Sequence, residues 1–108
     1  MATISVFYDG KKLLLSDKGN TTASRSEQIN WHPGQGVRSV KKVKAKPTSP
    51  ISTADFRLDA PKKNGVNFRR KIRSEVEGAW VYYITCDVGT NGNEILVTED
   101  PKIQVPSR

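Results

Sequence analysis

With 108 residues, of which 35 % are hydrophobic, the chain is sized for one domain with one core and is too apolar to remain disordered. No apolar run reaches the length of a membrane span, and the single cysteine, Cys86, excludes an intrachain disulfide and a cysteine-built zinc site. The net charge of +7 is uneven: residues 1–74 hold 16 Lys and Arg against 5 Asp and Glu, whereas residues 75–108 hold 2 against 6. That asymmetry fits a polyanionic partner, and it equally fits mutual attraction of the two halves on folding. The N-terminus lacks the positive start and long apolar run of a signal peptide, so the expectation is a cytoplasmic protein in a reducing compartment with no membrane contact.

In chain order, Thr3 to Tyr8 alternates Ile4, Val6 and Tyr8 with Thr3, Ser5 and Phe7, and Asp9-Gly10 separates this run from Leu13, Leu14 and Leu15. Asp-Gly between two such runs predicts a hairpin closed by a type I′ turn. Ser16 to Glu27 is polar and without apolar period, which reads as a surface loop. Gln28 to His32 predicts a short strand with Ile29 and Trp31 inward and Asn30 and His32 outward, stopped by Pro33-Gly34. In Val37 to Lys46 a period of two (Val43, Ala45) meets a spacing of three (Val37, Val40, Val43), and a bulge reconciles them.

Pro47 to Thr53 reads as a connection, Phe56 and Leu58 as part of a strand, and Pro61 to Gly65 as a turn. Val66 and Phe68 start a further strand, after which Arg69 to Glu77 reads as a helical turn or a loop. Ala79 to Val88 is the expected central strand, with Trp80, Tyr82, Ile84, Cys86 and Val88 on one apolar face. Gly89 to Gly92 turns the chain into a second hairpin through Thr98, and a last strand puts Ile103 and Val105 on one side and Lys102 and Gln104 on the other. Seven to nine short strands without a long helix predict an all-β fold, an antiparallel β-sandwich or barrel, of which the sandwich is preferred.

Three segments carry a family resemblance. Ile29-Asn-Trp31-His-Pro33, Gly78-Ala-Trp80-Val-Tyr82-Tyr-Ile84-Thr and Glu99-Asp-Pro101-Lys-Ile103-Gln-Val105 together resemble small bacterial cupredoxin-like β-sandwiches. The resemblance implies that fold and, by extension, a copper site. A blue-copper site needs two imidazoles and a thiolate, commonly with an axial thioether, yet only His32, Cys86 and Met1 exist here, and Asp87, Val88 and Gly89 follow the cysteine. The ligand count fails, so no copper, other metal or cofactor is expected. Cys86 then reads as a small buried hydrophobe and His32 as a surface side chain. An immunoglobulin-like topology is the alternative, although Ile84 stands where its Tyr-x-Cys pattern needs tyrosine.

The chain has no Gly-x-Ser-x-Gly elbow, no phosphate-binding lysine loop and one histidine in all, so no enzymatic activity is expected. Two acid-free stretches are the most informative functional feature. Gln28 to Ala54 carries Arg38, Lys41, Lys42, Lys44 and Lys46, and Ala60 to Ser74 carries Lys62, Lys63, Arg69, Arg70, Lys71 and Arg73. These eleven are the candidate polyanion-binding residues. Lysines on an edge strand also block sheet-to-sheet pairing, a reading that needs no ligand. Aromatic interleaving within the runs is limited to Phe68, which reads as core. The sequence therefore supports a non-enzymatic binding or accessory module for an unidentified protein partner or ligand, with nonspecific nucleic-acid binding through a basic face as the alternative.

Overall fold

Period-two burial, rather than any helical spacing, organises the backbone. The computed structural model describes 2–45, 58, 62–74, 78–90 and 92–106, with 62–64 described by backbone alone. Its strands are β1 (Ala2–Tyr8), β2 (Leu13–Leu15), β3 (Asn20–Thr22), β4 (Gln28–Pro33), β5 (Ser39–Ala45), β6 (Lys62–Asn64), β7 (Asn67–Lys71), β8 (Gly78–Asp87), β9 (Leu96–Glu99) and β10 (Lys102–Val105). They form two sheets, one in the order β2-β1-β4-β7-β6 and the other β3-β10-β8-β5 with β9 also on β8. Among the described residues no helix is long and apolar enough to cross a membrane.

The trunk of the second sheet is β8, whose Trp80, Tyr82, Ile84 and Cys86 are buried, with Val88 buried just beyond, as the alternation predicts. Along one edge of β8, β9 and β10 keep a single register, with Ile84 opposite Glu99 and Trp80 opposite Ile103. They are one strand interrupted at Asp100-Pro101. The Pro101 carbonyl accepts from Tyr82 N at 3.0 Å, but proline has no N–H with which to return the bond. Along the other edge, β5 slips register between Val40 and Lys42. Lys41 is the extra residue of a bulge, which is why Val40 and Val43, three apart, are both buried.

Several expectations change. The fold is mixed rather than purely antiparallel, because β1 pairs with β4, and β3 with β10, in parallel. Apolar alternation reports which side of a strand is buried, not its direction, and parallel neighbours need only a long connection, which residues 9–27 supply between β1 and β4. The polar stretch from Ser16 to Glu27 contains β3, in which Thr21 alone is buried, its hydroxyl donating to the Asp17 carboxylate. Lys62–Asn64 is strand β6 rather than part of a turn. The reversal falls one step later, at Gly65 (φ +63) and Val66 between paired Asn64 and Asn67, where a two-residue hairpin takes glycine first. Arg69 to Lys71 completes β7 in place of a helical turn.

Both expected hairpins form, with wider loops than a two-residue turn. In the first, Asp9 Oδ1 accepts from Lys11 N (2.8 Å) and Lys12 N (2.9 Å), and of the two turn residues only Gly10 has positive φ. The second closes through Val88 N donating to Ile95 O at 2.8 Å, before β9 begins. The connection from Pro47 to Thr53 and the strand expected at Phe56 lie outside the described residues, although Leu58 is buried and bridges to Ile72.

Two contacts join the sheets across their shared core. Trp31 of β4 and Tyr82 of β8 meet edge to face, with ring centroids 5.5 Å apart at 63°, and Trp31 Nε1 donates to the Tyr82 hydroxyl at 3.1 Å. Arg70 of β7 points inward, only 6 % exposed, and its guanidinium donates to the carbonyls of Val43 (2.6 Å) and Leu58 (3.2 Å). Since β5 ends its sheet order, the Val43 bond ties that edge to the opposite sheet. Arg70 is thus an interior clamp rather than a surface cation. Replacing it with methionine keeps apolar length and strands both carbonyls, so Arg70→Met should cost roughly 1–3 kcal/mol for each one left unsatisfied. Urea denaturation reads this directly; an unchanged midpoint would show that the clamp carries no stability.

Candidate functional site

The remaining candidate cations divide between two outward faces. Lys42 and Lys44 alternate with buried Val43 and Ala45 on β5, so they lie on the outer face of the second sheet, Lys42 exposed and Lys44 half-buried. Arg38 and Lys41 stand beside the loop joining β8 to β9. Arg38 Nη1 is 3.8 Å from Asp87 Oδ2 and Lys41 Nζ is 3.7 Å from Glu94 Oε2. Arg38, Lys41 and Glu94 are exposed while Asp87 is buried, and at these distances a pair with a solvated partner contributes about 0–1 kcal/mol, but both pairs cancel positive potential at that end of the sheet. On the first sheet, Arg69 and Lys71 alternate with inward Phe68 and Arg70, which puts them on the outer face, and exposed Arg73 follows the strand. Lys62 is opposite Arg69 in the register, with Lys63 beside it on β6, and Lys46 lies outside the described residues. The eleven candidates therefore do not share one surface.

The outer face of the first sheet gathers more than cations. Register places Thr3, Asn30, Arg69 and Lys62 in one row across β1, β4, β7 and β6. The next row begins with Ser5 opposite His32. Within these rows Arg69 Nε donates to Asn30 Oδ1 at 2.7 Å, and His32 Nδ1 donates to Asn67 Oδ1 at 2.6 Å. Asn30, expected outward, is outward but buried, with the Arg69 side chain drawn to it. Beyond the histidine row, Phe7 of β1 pairs with Leu14 of β2, and both are exposed. This aromatic is one that reading the basic runs alone missed. The signal was present in the outward period of Thr3, Ser5 and Phe7, but only the sheet order brings it onto the face that carries Arg69.

The acids are disposed differently. Asp9 accepts from Lys12 N and Lys11 N, and these amides hold its carboxyl below the usual range. Asp17 accepts from Gly19 N at 2.8 Å, and Glu27 Oε1 from Ser24 N at 2.8 Å. Asp87 accepts from Gly89 N (2.8 Å) and Ile95 N (3.2 Å), and the Gly89 amide leads the effects that keep its carboxyl low, with Ile95 and the nearby Arg38 adding to it. These four carboxylates are committed to turns. Among the described residues, the outer face of the first sheet carries no acid, whereas the second sheet has Asp87 at one end of its outer side.

The other sites that the sequence raised are structurally occupied. Cys86 is fully buried on the inner side of the second sheet, while His32 is on the outer side of the first, so the two cannot meet at one metal. Burial pushes the Cys86 thiol up to about 12 and raises the Tyr82 phenol well above its ordinary value. No group of three or more His, Cys, Asp or Glu side chains able to hold a metal occurs among the described residues. A cleft of about 440 Å³ between the β2 edge and the Asp100-Pro101 junction is lined by Lys12 and Lys18 but also by Glu99 and Asp100, so its charges offset one another. No protein-family model matches the chain, and no curated protein matches it as a relative.

The shifted groups fix the direction of pH dependence. A carboxyl lowered in the folded state stabilises above its unfolded value, and that contribution is lost as pH falls through the folded one, so Asp9 and Asp87 weaken the fold in acid below about pH 4. A thiol raised on folding gives stability that is complete below its ordinary value of 9.0 and is lost as pH climbs toward about 12. Melting temperature followed by circular dichroism should therefore fall on both sides of a neutral plateau. In Cys86→Ala the alkaline limb should be shallower; a limb as steep as in the parent would mean that the thiol does not contribute.

Proposed function

We propose that the chain is a non-enzymatic β-sandwich binding module, cupredoxin-like or immunoglobulin-like in kind but without copper ligands, whose partner is anionic. The observation that carries this reading is the separation of charge on the surface. Asp9, Asp17, Glu27 and Asp87 are turned into backbone amides, while Lys42, Lys44, Arg69 and Lys71 are placed by strand alternation on outward faces. Folding therefore leaves these four cations of a +7 chain facing outward, while those four carboxylates are committed to backbone amides. The cupredoxin-like part of the reading rests on the sequence resemblance alone; Trp31, Trp80, Tyr82, Ile103 and Val105, which carried it, are buried inward, as a core between any two sheets requires.

Nonspecific nucleic-acid binding is the specific form of this reading that the acid-free outer face of the first sheet favours. Edge protection by lysine accounts for Lys42 and Lys44, since β5 ends its sheet order, but it does not account for Arg69, because β7 lies inside the other sheet. Immobilised heparin is the simplest polyanion for a test. The chain should be retained at physiological ionic strength and elute at higher salt, as counterion release requires. Passage without retention would contradict the anionic-partner reading.

A further inference from the structure

We propose that the outer face of the first sheet binds single-stranded nucleic acid. In this assignment Phe7 stacks on a base, the His32–Asn67 pair meets polar groups of a base or sugar, and Arg69 and Lys71 hold phosphates. It rests on the anionic-partner reading above and narrows it to one face and one polymer.

Three observations converge. First, charge on this face is unopposed: among the described residues it carries Arg69 and Lys71 and no acid, whereas the opposite side, which carries Lys42 and Lys44, also holds Asp87 and Glu94, 3.8 and 3.7 Å from Arg38 and Lys41. Second, the aromatic is held in place. Phe7 is 37 % exposed, yet its ring lies so close over Gly34 that a Cβ on that glycine would come within 2.6 Å of a ring carbon. Leu14 pairs with Phe7 in the register on the other side. An exposed ring braced by its neighbours loses little freedom on stacking, and base stacking is tolerant of sequence. Third, the polar side chains between the ring and the cations are already ordered by their own bonds, His32 to Asn67 at 2.6 Å and Asn30 to Arg69 at 2.7 Å. With Nδ1 committed to Asn67, Nε2 is the ring nitrogen left to a ligand.

Distance along the strands fits an extended chain. Phe7, the His32 row, the Asn30 row and Lys71 with Gln28 follow one another two residues apart, about 6.6 Å per step. A ligand crossing the face thus meets a ring, hydrogen-bonding groups and then cations in turn. A duplex stacks its bases internally and would offer the ring nothing, and an open sheet face presents no helix or two-stranded ribbon to enter its major groove.

The test uses labelled oligonucleotides of one sequence, as single-stranded DNA, single-stranded RNA and duplex DNA, titrated with the full chain by fluorescence anisotropy at two salt concentrations. Single strands should bind more tightly than the duplex. Phe7→Leu, which keeps an apolar contact beside Leu14 and Gly34, and Phe7→Ala should each weaken single-strand binding roughly 5- to 150-fold without altering far-UV circular dichroism. Lys71→Gln should lower the slope of log K against log salt by about 0.7, the share of one phosphate contact. The charge-neutralising double variant Lys42→Gln, Lys44→Gln should lower that salt slope by less than the single Lys71→Gln change does, since these lysines face the other sheet's outer side. Equal affinity for duplex and single strand, an unaffected Phe7→Leu, or a loss that follows Lys42 and Lys44 would overturn this assignment while leaving an anionic partner in place. Failure to bind any of the oligonucleotides or heparin would overturn both.

Discussion

The contact between Trp31 and Tyr82 is the constraint on which the rest of the structure depends. Each residue lies on an interior strand of its own sheet, and both are fully buried. A buried indole N–H and a buried phenol each need a hydrogen-bond partner, and here each supplies the other's. The pair fixes how the sheets face one another and the parity of both strands. With Trp31 inward, Asn30 and His32 are outward; register then carries that assignment to Thr3 and Ser5 on one side and to Asn67 and Arg69 on the other. A slip of one residue would put Phe68 and Arg70 in water and Arg69 in the core. The composition of the outer face is therefore a consequence of what the interior fixes.

Arg70 extends the same logic to charge. Two consecutive arginines on β7 have opposite fates because a strand alternates: Arg69 faces out and bonds to Asn30, while Arg70 faces in and bonds to backbone carbonyls. Asp9, Asp17, Glu27 and Asp87 are drawn the other way, toward turns, because reversals leave backbone N–H groups that a carboxylate satisfies well. A modest excess of positive charge in the sequence thus becomes a larger asymmetry between sheet faces and loops, without any one residue being placed for a partner.

Much of the fold was legible in the sequence where alternation is long and apolar. The inward set of β8, the inward Ile29 and Trp31 of β4 and the last strand with Ile103 and Val105 all follow from period two, and the conflict of periods in Val37 to Lys46 called for a bulge, which the register places at Lys41. Short polar strands were not legible: β3 buries only Thr21, and the lysines of β6 look like turn residues because that strand ends its sheet order. Strand direction was hidden because burial alternates alike in parallel and antiparallel neighbours. For the candidate site, the residue types were visible and the surface was not. Arg69 and Phe7 are 62 positions apart in number, and only the pairing of β1 with β4 and of β4 with β7 places them on one face.

The claim that the interior pair sets the outward faces is tested most directly by a double-mutant cycle on Trp31→Phe and Tyr82→Phe, measured by urea denaturation. Both variants keep a ring, and each removes one partner of the hydrogen bond. A coupling energy of about 0.5–1.5 kcal/mol is the result the account predicts. Effects that add to within about 0.3–0.5 kcal/mol would contradict it, because the two sheets would then be held in register by something other than this pair.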